Sequence, residues 1–267
     1  MTESIIETKA FKGTHHDLKG FDNFQFSVGG IYQINRKKYI KPYEYGFHAC
    51  INLVDCFEHY NNDGSNRFFE VTIFGEYKLE GPKIRCRKIR IDKEIMLNEV
   101  LNGEFIDYYK NKKFYVNGKL HRDDNLPAII CPDGTQKYYI NGKLHRDGNL
   151  PAIIHPDGSK EYYLNEKHHR DGDLPAVIDS DGYKQYFVNG QLHRDGDLPA
   201  VIYPSGTQMY YKNDELHREG DLPARITSDG TTEYYKNGKL HRDCGLPAVF
   251  RYDGTKEYFV NGKKYVP

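Results

Sequence analysis

The chain has 267 residues with 38 basic and 38 acidic side chains, no net formal charge, 38% hydrophobic residues and a mean hydropathy of −0.79. Balanced charge argues against nucleic acid or an anionic membrane as the default partner, and no apolar run of about 20 residues is present to span a bilayer. Five cysteines at irregular positions, and an amino-terminal stretch carrying Glu3, Glu7, Lys9 and Lys12, fit a reducing, intracellular setting better than a disulfide framework behind a signal peptide.

Tyr (23 residues) and Phe (14), with no Trp, must supply much of the buried surface, which suits thin sheets with one half-wet face. Residues 1–99 read as a small α+β domain. Strands are expected at Asn23–Val28 and Ile31–Ile34 around a Gly29-Gly30 turn, and at Phe68–Tyr77 and Ile84–Ile91, with the segment Tyr45-Gly46-Phe47-His48-Ala49-Cys50 between the two pairs. A short helix is expected over 52–60, with Leu53, Cys56, Phe57 and Tyr60 on one side and a stop at Asn61–Gly64. A second helix is expected over Asp92–Leu101. The basic run Lys83, Arg85, Arg87, Lys88 and Arg90 reads as a solvated strand face. His48, Cys50, Cys56 and His59, with Cys86, are zinc-ligand types at a spacing that matches no standard zinc signature, and the cysteines suit an apolar core equally well. Residues 100–113, with Asp107-Tyr108-Tyr109-Lys110-Asn111, read as an adapter to the carboxy-terminal region.

Residues 114–267 repeat with a period of 24. His-Arg occurs at His121, His145, His169, His193, His217 and His241. Leu-Pro-Ala begins at Leu126, Leu150, Leu174, Leu198, Leu222 and Leu246, and is followed by Asp-Gly (Ser-Gly at Ser205), an aromatic pair such as Tyr138-Tyr139, and an asparagine every 24 residues from Asn117 to Asn261. Pro-Ala-Val-Ile reads as a strand start, Asp-Gly and Asn-Gly as turns, and Lys184–Val188 as a second strand, with Gln191–Arg194 as a third extended piece. A 24-residue unit has no room for a crossover helix. The expected fold is therefore mainly β: an elongated antiparallel meander of hairpin repeats, preceded by the small α+β domain. Two strands per repeat at about 4.8 Å give a pitch of roughly 10 Å. Glu166 and Asp214 stand where the turn glycine is expected, and His168 stands for the Leu before His-Arg, so these repeats are expected to be the weaker ones. The segment Asn261–Pro267 lacks His-Arg and reads as a blunted edge strand.

At this pitch six histidines cannot share one metal, whose ligands must each lie about 2 Å away. The structural expectation is that Arg146 pairs with a carboxylate such as Asp147 or Asp173 and that His145 bonds a loop carbonyl. The functional alternative is an interaction ladder of Arg122, Arg146, Arg170, Arg194, Arg218 and Arg242 facing a linear acidic partner. Of each aromatic pair, one ring is expected to support the core and the other to lie on the second face.

The Tyr-Tyr-x-Asn-Gly half of the unit resembles the MORN repeat. The His-Arg…Leu-Pro-Ala half resembles variants in proteins of giant viruses of amoebae, and the region before it resembles a domain of giant-virus and phage proteins that brings no function with it. The MORN resemblance implies a scaffold or protein-contact module, with some lipid association in the family. The giant-virus likeness implies host cytoplasm or virion. Lys12-Gly13, Gly46-Phe47-His48-Ala49 and Phe69–Gly75 also resemble the ADP-ribosyltransferase fold. That likeness implies Lys12, Gly13 and His48 at the nicotinamide end of NAD, with Lys12 in place of the family's histidine, His48 in place of its tyrosine, and no glutamate placed. The leading expectation is a non-enzymatic protein-binding module without cofactor or metal. The rival is an NAD-binding or degenerate transferase domain in residues 1–99 targeted by the repeats, and peripheral lipid binding is a third reading.

Overall fold

A computed structural model describes residues 7–15, 17–18, 25–34, 46–61 and 64–267. Residues 23 and 24 of the first expected strand, Tyr45, and residues 62 and 63 of the expected helix stop lie outside the described residues. The chain divides into two compact units, one of 1–122 with 128–132 and one of 123–127 with 133–267.

The first unit is built on an antiparallel sheet of seven strands, β1 (Glu7–His15), β2 (Ile31–Gln33), β3 (Phe47–Cys50), β4 (Asn66–Phe74), β5 (Tyr77–Glu80), β6 (Lys83–Cys86) and β7 (Lys88–Ile95), in the order β2-β7-β4-β1-β3-β6-β5. Only Arg87 separates β6 from β7, yet the two pair on opposite sides of β1, so the sheet curls around its core. The break follows from the sequence. Ile84 and Cys86 alternate in one phase and Ile89 and Ile91 in the other, and all four bury in the same cluster with Phe69, Val71 and Ile73. The opposite face carries Cys50, Leu53, Val54, Cys56, Phe68, Ile95 and Leu101.

Two helix expectations are corrected. Residues 52–60 form a single 3-10 segment, Leu53–Glu58. Its Asp55 is fully buried; one carboxylate oxygen accepts from the Asn52 side chain and the other from the Tyr108 N–H. Residues 92–95 are strand, because Ile95 faces Phe68 across the ladder and Glu94 grips Arg67, which leaves a single turn of helix, α1 (Leu97–Val100). Beyond it, β8 (Gly103–Ile106) pairs with β9 (Lys112–Val116), and β9 with β10 (Lys119–Leu120) and β11 (Ile129–Ile130). The turn between β8 and β9 is tied by buried Asp107, which accepts from the Asn111 backbone and side chain and pairs with Lys113.

In the second unit each 24-residue repeat contributes two short strands to one continuous antiparallel ladder. The ladder runs from Gln136–Lys137 through Ile153–Ile154, Lys160–Glu161, Val177–Ile178 and onward to Lys256–Val260. The repeating antiparallel architecture is as expected. Its detail differs: the second strand is not continuous, since it leaves the ladder at the first aromatic residue. Tyr163–Leu164 then pairs with Lys167–His168 as a separate two-stranded hairpin, and the same holds in each neighbouring repeat. The break lets the first tyrosine turn inward, and Tyr138, Tyr162, Tyr186 and Tyr210 are buried. The alanine of Leu-Pro-Ala is fully buried in every repeat, from Ala128 to Ala248. Its carbonyl accepts from an aromatic residue's N–H of the preceding repeat, Phe114 for Ala128 and a tyrosine for the others, as in Tyr162 to Ala176 at 2.7 Å.

The hairpin turns show why asparagine recurs. Asn141, Asn165, Asn189, Asn213 and Asn237 all have φ near +50°, and the next residue is also positive, including Glu166 and Asp214 at +70°. This is the type I′ signature, which asparagine and glycine tolerate and a branched or long side chain pays for. The Asp214 carboxylate recovers part of that cost by accepting from the Leu192 N–H at 2.7 Å. Glu166→Gly is expected to stabilise the protein by about 1 kcal/mol, with a smaller gain for Asp214→Gly. Urea denaturation midpoints of the two variants check this.

Candidate functional site

The surface with the most recurrent chemistry is the edge formed by His-Arg-Asp-x-x-Leu-Pro-Ala. It is built on a second pair of left-handed residues in each repeat, such as Gly172-Asp173 and Gly196-Asp197. This turn aims the second residue's side chain at the arginine 21 positions later. Arg194 places Nε and Nη2 on the two oxygens of Asp173 (2.7 and 3.0 Å) and Nη1 on the Pro199 carbonyl (3.3 Å), and its guanidinium carbon lies 3.7 Å from the centroid of Tyr186. Arg218 with Asp197, and Arg242 with Asp221, repeat the arrangement. In the earlier steps Asn125 and Asn149 take the acceptor role for Arg146 and Arg170. Arg122 stacks on Phe114 at 3.7 Å. The fork from arginine holds Asp173, Asp197 and Asp221 below the usual carboxylate range.

The expected partner of Arg146 was Asp147 or Asp173, and the geometry corrects both: it reaches back to Asn125. Bidentate hydrogen bonds and stacking, with the side chains of Arg194, Arg218 and Arg242 only 14% exposed, make these guanidiniums joints between repeats.

The histidines are joints as well. His145, His169, His193, His217 and His241 accept on Nδ1 from the backbone N–H of the asparagine 20 residues later, at 3.1 to 3.4 Å. That bond fixes the tautomer with its proton on Nε2, which lies 2.8 to 3.1 Å from the carboxylate two residues on, as His169 does from Asp171. Nδ1 accepts from an amide N–H, in place of the bond to a loop carbonyl expected from sequence.

His168 turns from an irregularity into a local cluster. Its ring lies between Tyr163 (4.2 Å) and Phe187 (4.9 Å), and its Nε2 is 3.0 Å from Glu161, whose other oxygen is 3.1 Å from His155 Nε2. Tyr163 donates to the same carboxylate at 2.9 Å. These hydrogen bonds, led by that of His168, hold Glu161 at about 2 against the opposing effect of burial.

What the edge exposes is different. The leucines at 126, 150, 174, 198, 222 and 246 are each 39 to 44% exposed. Beside them stand Asp147, Asp171 and Asp195, with side chains 84 to 94% exposed. A cleft of about 200 Å³ holds Asp147, Leu150, Tyr162, Leu164 and Asp171. In the sequence this signal is a leucine recurring beside acids, next to the more conspicuous His-Arg.

In the first unit, Lys12 is buried; its ammonium donates to the His48 carbonyl at 2.9 Å and lies 4.9 Å from the Phe26 ring. Burial pushes Lys12 down to about 8 and neighbouring Cys86 up to about 12. Strand alternation puts the His48 side chain on the opposite face from Lys12, exposed, with its pKa lowered by partial desolvation and then by Lys12 and Arg85. The space that a Cβ on Gly13 would need is filled by the Tyr60 ring. Cys50 and Cys56 lie in one buried cluster and Cys86 in the other. Among the described residues no group of three or more His, Cys, Asp or Glu is arranged to hold a metal ion. An apolar hollow of about 370 Å³ lies between Phe11, Leu53, Ile95 and Phe105, with Glu70 on its wall. No helix among the described residues is long and apolar enough to cross a membrane.

Residues 8–103 match a family described as a domain of unknown function, DUF7666. No curated protein and no solved structure matches the chain.

Two outcomes check the joints. Arg194→Lys keeps the charge but loses the planar fork and most of the stacking, and is expected to destabilise the array by about 1–2 kcal/mol in urea denaturation. A depressed carboxyl such as Glu161 contributes its stability in full above its ordinary value of 4.5 and loses it as pH falls through about 2. Glu161→Gln is therefore expected to be less stable than the parent near neutral pH, with the gap closing as the urea midpoints are followed down toward pH 2.

Proposed function

We propose that the repeat array is a protein-interaction scaffold whose contact surface is its leucine-bearing edge. One observation carries this reading: six leucines recur at one position of an otherwise tightly engaged segment and remain exposed. The histidine, arginine, proline and alanine around them all take part in hydrogen bonds within the array. Apolar side chains repeated along one edge and flanked by charge are a surface suited to another protein.

The likeness of the tyrosine–Asn-Gly half to MORN-type arrays supports the reading, since such arrays serve as contact modules. In this reading the array carries no catalytic step. No observation at Lys12, Gly13 or His48 favours nucleotide binding over it.

The test compares the intact chain with a Leu150→Ser, Leu174→Ser, Leu198→Ser variant by affinity capture from the cells that make the protein, with circular dichroism as the control for folding. The expected result is a bound protein that the variant loses while its spectrum is unchanged. An identical set of captured proteins from both would contradict the proposal.

A further inference from the structure

The exposed edge is not uniform along the array. In the later repeats its carboxylates are neutralised from within: Lys212 reaches Glu219 at 3.0 Å and Lys236 reaches Asp243 at 3.1 Å, each from seven residues before. In the earlier repeats the lysine position is held by Ile140, Leu164 and Val188, the last two 40% and 38% exposed. Asp147, Asp171 and Asp195 thus have no lysine at that position, and each has a histidine Nε2–H as its hydrogen-bond donor. The cleft between repeats follows the same division. It measures about 200 Å³ around Asp147, Leu164 and Asp171, and about 110 Å³ where Lys236 lies beside Glu219 and Asp243.

We propose that the stretch from Ile140 to Leu198 binds a linear basic peptide segment that places one lysine or arginine in the cleft of each repeat. The alkyl stem lies on Leu150 or Leu174 and the charged head meets Asp147, Asp171 or Asp195, supplying from outside what Lys212 and Lys236 supply from inside. This reverses the sign of the partner expected from the arginine ladder: Arg146 and Arg170, which line the same cleft, are engaged by Asn125 and Asn149 and by proline carbonyls, whereas the Asp147, Asp171 and Asp195 side chains stand 84 to 94% exposed. Spacing selects the form of the segment. Two strands per repeat set a pitch of about 9.4–9.8 Å. Three residues of polyproline II advance about 9.3 Å and return to the same face. In a β-strand, residues three apart face opposite ways, so every second basic side chain would point away from the edge.

The inference rests on the scaffold reading and names its partner class. The test is fluorescence anisotropy on the full chain with a labelled proline-rich probe carrying lysine at every third residue, against a control of the same composition with its lysines clustered. The spaced probe is expected to bind roughly tenfold tighter than the control. Asp147→Asn, Asp171→Asn and Asp195→Asn together, which keep an acceptor for each histidine, are expected to weaken it roughly tenfold, and Asp243→Asn to leave it within about twofold. Equal binding of the two probes, no binding of either, or an undiminished affinity in the triple variant would overturn the proposal. If that variant still captures the protein that the leucine variant loses, the scaffold reading stands and this inference alone falls.

Discussion

A stacked and forked guanidinium joins each repeat of this protein to the one before it. From Arg146 to Arg242 the flat face lies on the first tyrosine of its own repeat, one nitrogen meets the proline carbonyl, and the remaining edge grips an aspartate or asparagine 21 residues earlier. Most of the recurring letters follow from that one joint. The first tyrosine must leave the ladder to serve as the plate. The Asp or Asn must take a left-handed conformation to face the next repeat. Where the arginine position is held by Val266, the acceptor position 21 residues before it is held by Gly245.

Around that joint the array is assembled from very short strands, none of which buries an apolar face by itself. Each unit leans on its neighbours through the ladder, the arginine fork, the histidine–amide bond, and a backbone bond from one hairpin to the next, such as Gly190 N–H to the His168 carbonyl. A smaller joint shows the same economy. The hydroxyls of Ser159, Thr207 and Thr231 accept from backbone N–H groups 21 residues later. Two later positions are prolines without an N–H: 21 residues before Pro204 stands Tyr183, whose ring packs on Tyr203 at 4.9 Å, and before Pro156 stands Thr135, whose hydroxyl donates to Asp133 instead.

Much of the architecture was legible because period and turn chemistry are local. Asn-Gly announced its left-handed turns, and the structure keeps them even at Glu166 and Asp214. The cross-repeat partners were not legible, since nothing within one 24-residue unit says that Arg146 looks back to Asn125 and not forward to Asp147. The strand break at Tyr162 was hidden in an unbroken run of β-formers. Burial was equally opaque in the first unit. Nothing in the sequence set Tyr60 beside Gly13, and Asp92–Ile95 had helical propensity that cross-strand contacts with Phe68 and Arg67 outweigh.

Because the histidines and arginines hold the array together, its contact chemistry falls to the leucines and carboxylates left on the edge. Native-state hydrogen exchange on the full chain tests that division most directly. The account predicts that the amides of Asn189, Asn213 and Asn237, which donate to histidine, exchange as slowly as those of Tyr186 and Tyr210, which donate to the Ala200 and Ala224 carbonyls. Exchange of those asparagine amides at the rate of free loops, with the ladder still protected, would contradict it.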